Sequence, residues 1–215
     1  MQKQDYYSHP YCSNSALTML AQELGLYGSK QSDKDPYDNF RLGTLFDALV
    51  TEPHLIDLNR QIIIGTGYEF SEKEYLTMQK MHESLRNDIT FSEFISLRPS
   101  SQKEIYCENF SFDGSVELNM KAKLDWQLPG LVVDLKTTSA KTEESFNYAF
   151  EMFGYHRQMR LYCELTESRT AFTFAVSKIF PHPVFIIKFC KKHALWEQAG
   201  DELKELMLKY KLIVE

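Results

Sequence analysis

The chain has 215 residues, 43% of them hydrophobic and 25% charged, with a net charge of −6. That length fits one domain with a substantial core, and the composition is that of a globular protein rather than a disordered or fibrous one. No run approaches the ~18 consecutive apolar residues of a membrane helix, Met1-Gln2-Lys3-Gln4-Asp5 lacks the apolar core of a signal peptide, and the acidic balance counts against non-specific binding to nucleic acid, so a cytoplasmic protein is expected.

Ser13 to Leu20 opens a helix with polar capping candidates and ends near Gly25. The polar segment 27–39 reads as a long loop. A second helix is expected from about Phe40 to Val50, stopped by Glu52-Pro53. Ile62 to Ile64 reads as a short strand before Gly65-Thr66-Gly67. A third helix, about Ser71 to Arg86, carries Tyr75, Met78 and Leu85 on its apolar side, and a short one around Ser92 to Leu97 ends at Arg98-Pro99. The pattern then changes to strands at Glu104–Phe112, Val116–Trp126 and Leu131–Lys136. Helical periodicity returns from Glu143 to Leu165, with Gly154 as a point where it can break. Strands follow at Thr170–Ser177 and Val184–Phe189, then a helix from Ala194 to about Tyr210 with Trp196, Ala199, Leu203, Leu206 and Tyr210 on one face. A helical first part (1–100), a strand meander, a crossover helix and further strands make an α/β or α+β fold with a mixed sheet. The scattered Cys12, Cys107, Cys163 and Cys190 form no CxxC pair, so they read as buried thiols rather than zinc or iron–sulfur ligands.

The most informative stretch is 116–138. Val116, Leu118, Met120, Ala122 and Leu124 alternate with polar residues, the pattern of a strand with one buried face. Pro129-Gly130 is a turn signal, and Leu131 to Leu135 reads as the returning strand. With Pro129-Gly130 as the whole loop, Asp125 faces Asp134 and Lys123 faces Lys136. Directly opposed like charges about 5 Å apart repel. Facing aspartates make sense around a divalent cation, and Lys136 projects from the same face as Asp134. Two carboxylates and a lysine around a hard metal suit phosphodiester hydrolysis. A solvated hairpin face with ordinary charges is the alternative.

Asp134-Leu135-Lys136 preceded by Asp125 resembles the PD-(D/E)xK nuclease signature. Gly154-Tyr155-His156-Arg157-Gln158-Met159-Arg160-Leu161-Tyr162 is similar to the QxxxY motif of the RecB-type branch, with Gln158 and Tyr162 one helical turn apart. Leu42 to Pro53 resembles a helix motif of RecE-like (exonuclease VIII-like) phage and prophage exonucleases, and Ser13-Asn14-Ser15-Ala16-Leu17 also fits that family. The resemblance spans nearly the whole chain and implies a single PD-(D/E)xK nuclease domain over 1–215, with its catalytic core at 101–215.

The resemblance implies roles. Asp125 and Asp134, with the carbonyl of Leu135, would bind Mg²⁺ or Mn²⁺; Glu104 would bind the metal or its water. Lys136 would orient the attacking water, and Gln158, Tyr162 and Lys123 would position the DNA backbone. Many relatives have a histidine where this chain has Asp47, which reads as a further ligand or as a solvated helix residue. His156 is expected at the surface, His182 in a turn, and Tyr155 packed. Lys188, Lys191, Lys192 and His193 read as a solvated corner. The implied activity is digestion of duplex DNA from an end, 5′ to 3′, for phage-type recombination. The partners would be a single-strand annealing protein and further copies of the chain in a ring. An endonuclease, a single-strand nuclease, or a catalytically silent DNA-end-binding adaptor are the alternatives.

Overall fold

The structure is a computed structural model that describes residues 6–27 and 36–214. Helix α1 (Asn14–Glu23) starts where Ser13 accepts a hydrogen bond from the Ala16 amide. Helix α2 (Pro36–Thr51) begins four residues before the expected Phe40. Proline is well suited to a first helical turn, because its φ is preset and the missing amide has no helical partner there. The remainder of the expected loop, 28–35, lies outside the described residues. Three two-residue strands, β1 (Ile56–Asp57), β2 (Ile62–Ile63) and β3 (Tyr68–Glu69), form a small antiparallel sheet, of which only β2 was expected. Helix α3 (Glu72–Asn87) opens with a capping box between Ser71 and Glu74, and α4 (Ile89–Ser96) is capped by Asp88.

The central sheet holds β4 (Ser100–Phe112), β5 (Val116–Leu128), β6 (Leu131–Thr138), β7 (Thr170–Ser177) and β8 (Val184–Cys190), in that order. Only β6 and β7 are parallel. A parallel pair needs a crossover, supplied by α5 (Glu143–Met152) and α6 (Tyr155–Leu165). Gly154, at φ +69°, ends the expected 143–165 helix as two. Helix α7 (Trp196–Val214) closes the chain.

Helices cover both faces. Phe46, Met78, Phe91 and Phe94 pack with Trp126, Val133, Leu135 and Phe174. Phe146, Phe150 and Met159 pack with Leu124, Val132, Ala171 and Phe189. A third cluster joins α1 and α7 to the outer half of the β4–β5 ribbon through Leu17, Phe112, Met120 and Leu203. Strand β5 therefore changes the face it presents between Leu124 and Trp126, and Asp125 sits at the change. The β5–β6 ladder runs through Leu128↔Leu131, Gln127↔Val132 and Trp126↔Val133 and stops there. The register has the two-residue turn expected from Pro129-Gly130. Past that point the two strands part, and the parting is where the site lies.

Cys12 and Cys163 are buried thiols whose pKa burial pushes up to about 12, whereas Cys107 and Cys190 are only half-buried. Among the described residues no helix is long and apolar enough to cross a membrane.

Candidate active site

Asp134 is 3% exposed. Its Oδ1 accepts hydrogen bonds from Lys136 Nζ at 3.0 Å and from Gln158 Nε2 at 3.0 Å. Lys136 Nζ also lies 2.8 Å from Oδ2 as an ion-pair contact, at an angle that makes no hydrogen bond, so Oδ2 is a buried oxygen without one among the described residues. Gln158 Nε2 additionally donates to Tyr162 Oη at 2.9 Å, and Tyr162 Oη donates to the Lys123 carbonyl at 3.4 Å. The one-turn spacing of Gln158 and Tyr162 puts both on the α6 face turned to the sheet. Lys136 Nζ stands 5.1 Å from the centroid of the Tyr155 ring, so Tyr155 is packed, as expected, and packed on the lysine.

Across the parting, Asp125 Oδ2 accepts the Leu135 amide at 2.6 Å. A side chain thus takes the place of the ladder bond that the backbones no longer make. The opposition of Lys123 and Lys136 does not form. Lys123 pairs in register with Glu104 on β4, and its Nζ is 3.8 Å from Glu52 Oε2. Counting outward from the turn assumed a ladder that in fact ends at Trp126.

Asp47 comes to this site from α2. Gln102 Nε2 lies 3.4 Å from both of its carboxylate oxygens, and Thr51 Oγ1 donates to the Asp47 carbonyl at 2.9 Å. Gly43, one turn earlier, faces β6, where a Cβ would make an ordinary contact 3.7 Å from Thr137 Oγ1. Glu104 is half-buried and accepts from Tyr106 Oη at 3.2 Å. The carboxylates bearing most on Asp125 are Asp47 and Asp134. Gln102 had no sequence signal, since it precedes the expected start of its strand, and Thr51 and Glu52 were read only as the end of the Leu42–Pro53 helix motif, with no role at the site.

His156 is not at the surface. It is 1% exposed, and its Nε2 is 3.1 Å from Glu202 Oε2 on α7, beside the Arg157–Glu202 ion pair. Packing α7 on α6 buries that side of the helix. His182 does lie in the β7–β8 connection, with Nδ1 3.0 Å from the Ser177 carbonyl.

Burial is the main force on all three aspartates. It raises Asp125 well above the carboxylate range, reinforced by Asp47 and Asp134. It raises Asp134 against the pull of Lys136. It pushes Asp47 up to about 6 against Lys123 and Lys136. Burial also works against the charge on Lys136, but Asp134, Tyr155 and Asp125 outweigh it and hold the ammonium charged. The cluster is short of positive charge, since crowded carboxylates cannot all ionise without a counter-ion. Among the described residues no three His, Cys, Asp or Glu side chains converge into a closed metal cage; the carboxylates are tied to Leu135, Lys136 and Gln158 instead. Even so, the donors are hard oxygens, one of them buried without a hydrogen bond, and they fit Mg²⁺ or Mn²⁺.

A mixed sheet whose strands part between Asp125 and Asp134-Leu135-Lys136, with a crossover helix laying Gln158 and Tyr162 on the parting, is a PD-(D/E)xK, restriction-endonuclease-like core. The sequence profile of the PDDEXK-like domain of unknown function matches residues 13–215, and the chain belongs to that family. Among solved structures, a candidate exonuclease from Eubacterium rectale superposes with a TM-score of 0.65 at 17% identity, over 97% of this chain and 84% of that one. An alkaline exonuclease from Laribacter hongkongensis gives a TM-score of 0.42 at 11% identity, over 95% and 89%. A phage-related exonuclease from Haemophilus somnus gives 0.41 at 16%, over 78% and 82%. At 17% identity the likeness to the Eubacterium rectale protein concerns the fold. No curated protein matches the sequence.

Proposed function

We propose that the chain is a RecE-like, divalent-metal-dependent exodeoxyribonuclease that hydrolyses duplex DNA from an end, 5′ to 3′. The observation that carries this reading is the Asp134–Lys136–Gln158–Tyr162 network set against Asp125 where β5 and β6 part. Asp125, Asp134 and Asp47, with the Leu135 carbonyl, would hold Mg²⁺ or Mn²⁺, and Glu104 would meet the cation through water. A bound divalent cation acidifies water and neutralises charge at a phosphate. Lys136, kept charged by Asp134, offers a donor to the attacking water and to the charge that builds on the phosphate oxygens during in-line displacement. Gln158 fixes the Asp134 carboxylate, and Tyr162 and Lys123 face the DNA backbone. Digestion leaving a 3′ single strand would serve an annealing protein, and a ring of copies would keep the enzyme on its strand.

Incubation with end-labelled linear duplex and with closed circular duplex, in Mg²⁺, Mn²⁺ or EDTA, tests the reading. Metal-dependent shortening of the linear duplex alone, lost in Asp134→Ala, is expected. Cleavage of the circle makes it an endonuclease. Binding to ends without cleavage under any metal makes it an adaptor, a reading favoured by the carboxylates' present ties to protein donors.

A further inference from the structure

The segment before α1 concentrates aromatic rings beside the site. By ring centroids, His9 lies 4.2 Å from Tyr11 and 4.6 Å from Tyr106 of β4, and Tyr6 lies 5.4 Å from Tyr7 and 6.1 Å from Tyr106. Tyr7 is 75% exposed and Tyr106 39%, so the group offers ring surface to solvent. The segment is clamped by Lys121, which is 6% exposed. Its Nζ donates to the carbonyls of His9 at 2.6 Å, Tyr6 at 2.8 Å and Tyr7 at 3.5 Å, and stands 4.9 Å from the Tyr6 ring centroid. A buried ammonium is costly unless its donors are used. Here they are used on backbone carbonyls, which fixes the rings in advance of any ligand and spares the entropy of ordering them.

The rings are continuous with the candidate active site. Tyr6 lies against the backbone of Lys123, whose carbonyl accepts from Tyr162. Along the β4–β5 ribbon, Tyr106↔Lys121 is followed two residues on by Glu104↔Lys123, a same-face step of about 7 Å. Tyr106 Oη donates to Glu104 at 3.2 Å and Tyr11 Oη to Glu108 at 2.9 Å, so carboxylates hold two ring edges while the Lys121 ammonium stands beside Tyr6.

We propose that Tyr7, His9 and Tyr106 form a stacking platform for the bases of an unpaired DNA strand entering or leaving the site. The proposal rests on the nuclease reading above. Every base has a π-face, so such stacking tolerates any sequence. It contacts bases and not phosphates, so it adds little to the salt dependence of binding.

The test is fluorescence anisotropy of a labelled oligothymidylate and of an abasic strand of equal length, in EDTA, so that no cleavage occurs. Removing both rings in Tyr7→Ala/Tyr106→Ala should weaken oligothymidylate binding about ten-fold or more, leave the salt slope unchanged and leave abasic binding as in the wild type. Tyr7→Phe/Tyr106→Phe keeps the rings and should bind like the wild type. Equal oligothymidylate binding by the wild type and the double alanine variant overturns the platform, as does an equal loss on the abasic strand. Should the double variant melt early, Tyr7→Ala alone decides, since that ring is the more exposed. Cleavage of labelled duplex by the wild type in Mg²⁺ is scored separately. Ring-dependent strand binding without cleavage sinks the nuclease reading and keeps the platform. Cleavage with ring-independent binding sinks the platform alone.

Discussion

One amide nitrogen, Gln158 Nε2, donates to both Asp134 Oδ1 at 3.0 Å and Tyr162 Oη at 2.9 Å, so a single glutamine ties the crossover helix to the central carboxylate. Removing the hydrogen-bond partner of a ligating carboxylate typically costs 10–100-fold in activity or metal affinity. Gln158→Leu should therefore lower kcat by about 10–100-fold while leaving the melting temperature close to the wild type's, because the position is half-buried and leucine fills it. Gln158→Glu should be worse, since it places a further carboxylate against Asp134. Steady-state cleavage of labelled duplex measures both. Full activity in Gln158→Leu would remove Gln158 from the site.

Lys136 is the cation that Asp134 holds, and Asp134 in turn keeps it charged. Lysine is a donor and never a ligand of a hard cation. Lys136→Met should reduce turnover by roughly 10²–10³-fold, the usual loss of a charge-stabilising donor. Mn²⁺ affinity, read by calorimetry, should hold or rise, because a competing positive charge has gone. Weakened Mn²⁺ binding in a folded variant would give Lys136 a structural role instead.

Asp125 is pushed up by burial, by Asp47 and by Asp134, so its ionised form strains the metal-free protein. Asparagine keeps the oxygen that accepts from the Leu135 amide. Asp125→Asn should raise the metal-free melting temperature by a few degrees, at about 2–4 °C per kcal/mol for a chain of this size. It should also shrink the stabilisation that Mg²⁺ gives the wild type. Scanning calorimetry with EDTA and with Mg²⁺ checks both signs. A metal-free melting temperature below the wild type's would mean that the Asp125 charge is compensated.

The sheet was legible because its signals are local. Alternation in 116–124 and the Pro129-Gly130 turn specify β5 and its register with β6, and the Asp-x-Lys spacing specifies one face of β6. The end of the ladder was not legible. It depends on β5 changing faces at Asp125, a packing choice made by Trp126 against Phe91 and Phe94 of α4, some thirty residues earlier in the chain. The same holds for His156: its helix was readable, but which side α7 would cover was not. Asp47 was placed near the site only through the family resemblance, since nothing in residues 40–50 announces that the helix packs against β6.

Glu202 on α7 makes that covering specific. Burial pushes its carboxyl up, but hydrogen bonds from His156, Gln198 and Arg157 outweigh burial and bring it down to about 2. The sign follows from the depressed value: its contribution is complete above the ordinary glutamate range, near 4.5, and is lost as pH falls toward 2. Glu202→Gln leaves the buried Arg157 without its counter-charge, a change that costs about 3–5 kcal/mol for buried pairs. Urea unfolding at neutral pH should show that loss, and the gap between variant and wild type should narrow below pH 4. A gap that stays constant with pH would mean that the pair contributes through packing alone.

Asp47 has the opposite sign. Burial raises its carboxyl to about 6, against the pull of Lys123 and Lys136. A raised carboxylate favours the folded state while it is protonated, so its contribution is present below its unfolded value, near 3.8, and is lost as pH rises through about 6. In EDTA the wild type should therefore lose stability between pH 4 and 7 relative to Asp47→Asn, which cannot ionise there. Below pH 4 the two should converge. With Mg²⁺ at pH 7.5 the order should reverse: a cation shared with Asp125 and Asp134 would recover the strain in the wild type, whereas the asparagine, a weaker ligand, would recover less. Asp47→His should move the preference from Mg²⁺ toward Mn²⁺, because imidazole suits the later metal better. Thermal melts of the three proteins at pH 4, 6 and 7.5, with EDTA, Mg²⁺ or Mn²⁺, cover all of these outcomes. Identical Mg²⁺-induced shifts in the wild type and Asp47→Asn would make Asp47 a bystander, held by Gln102 and Thr51 but apart from the metal.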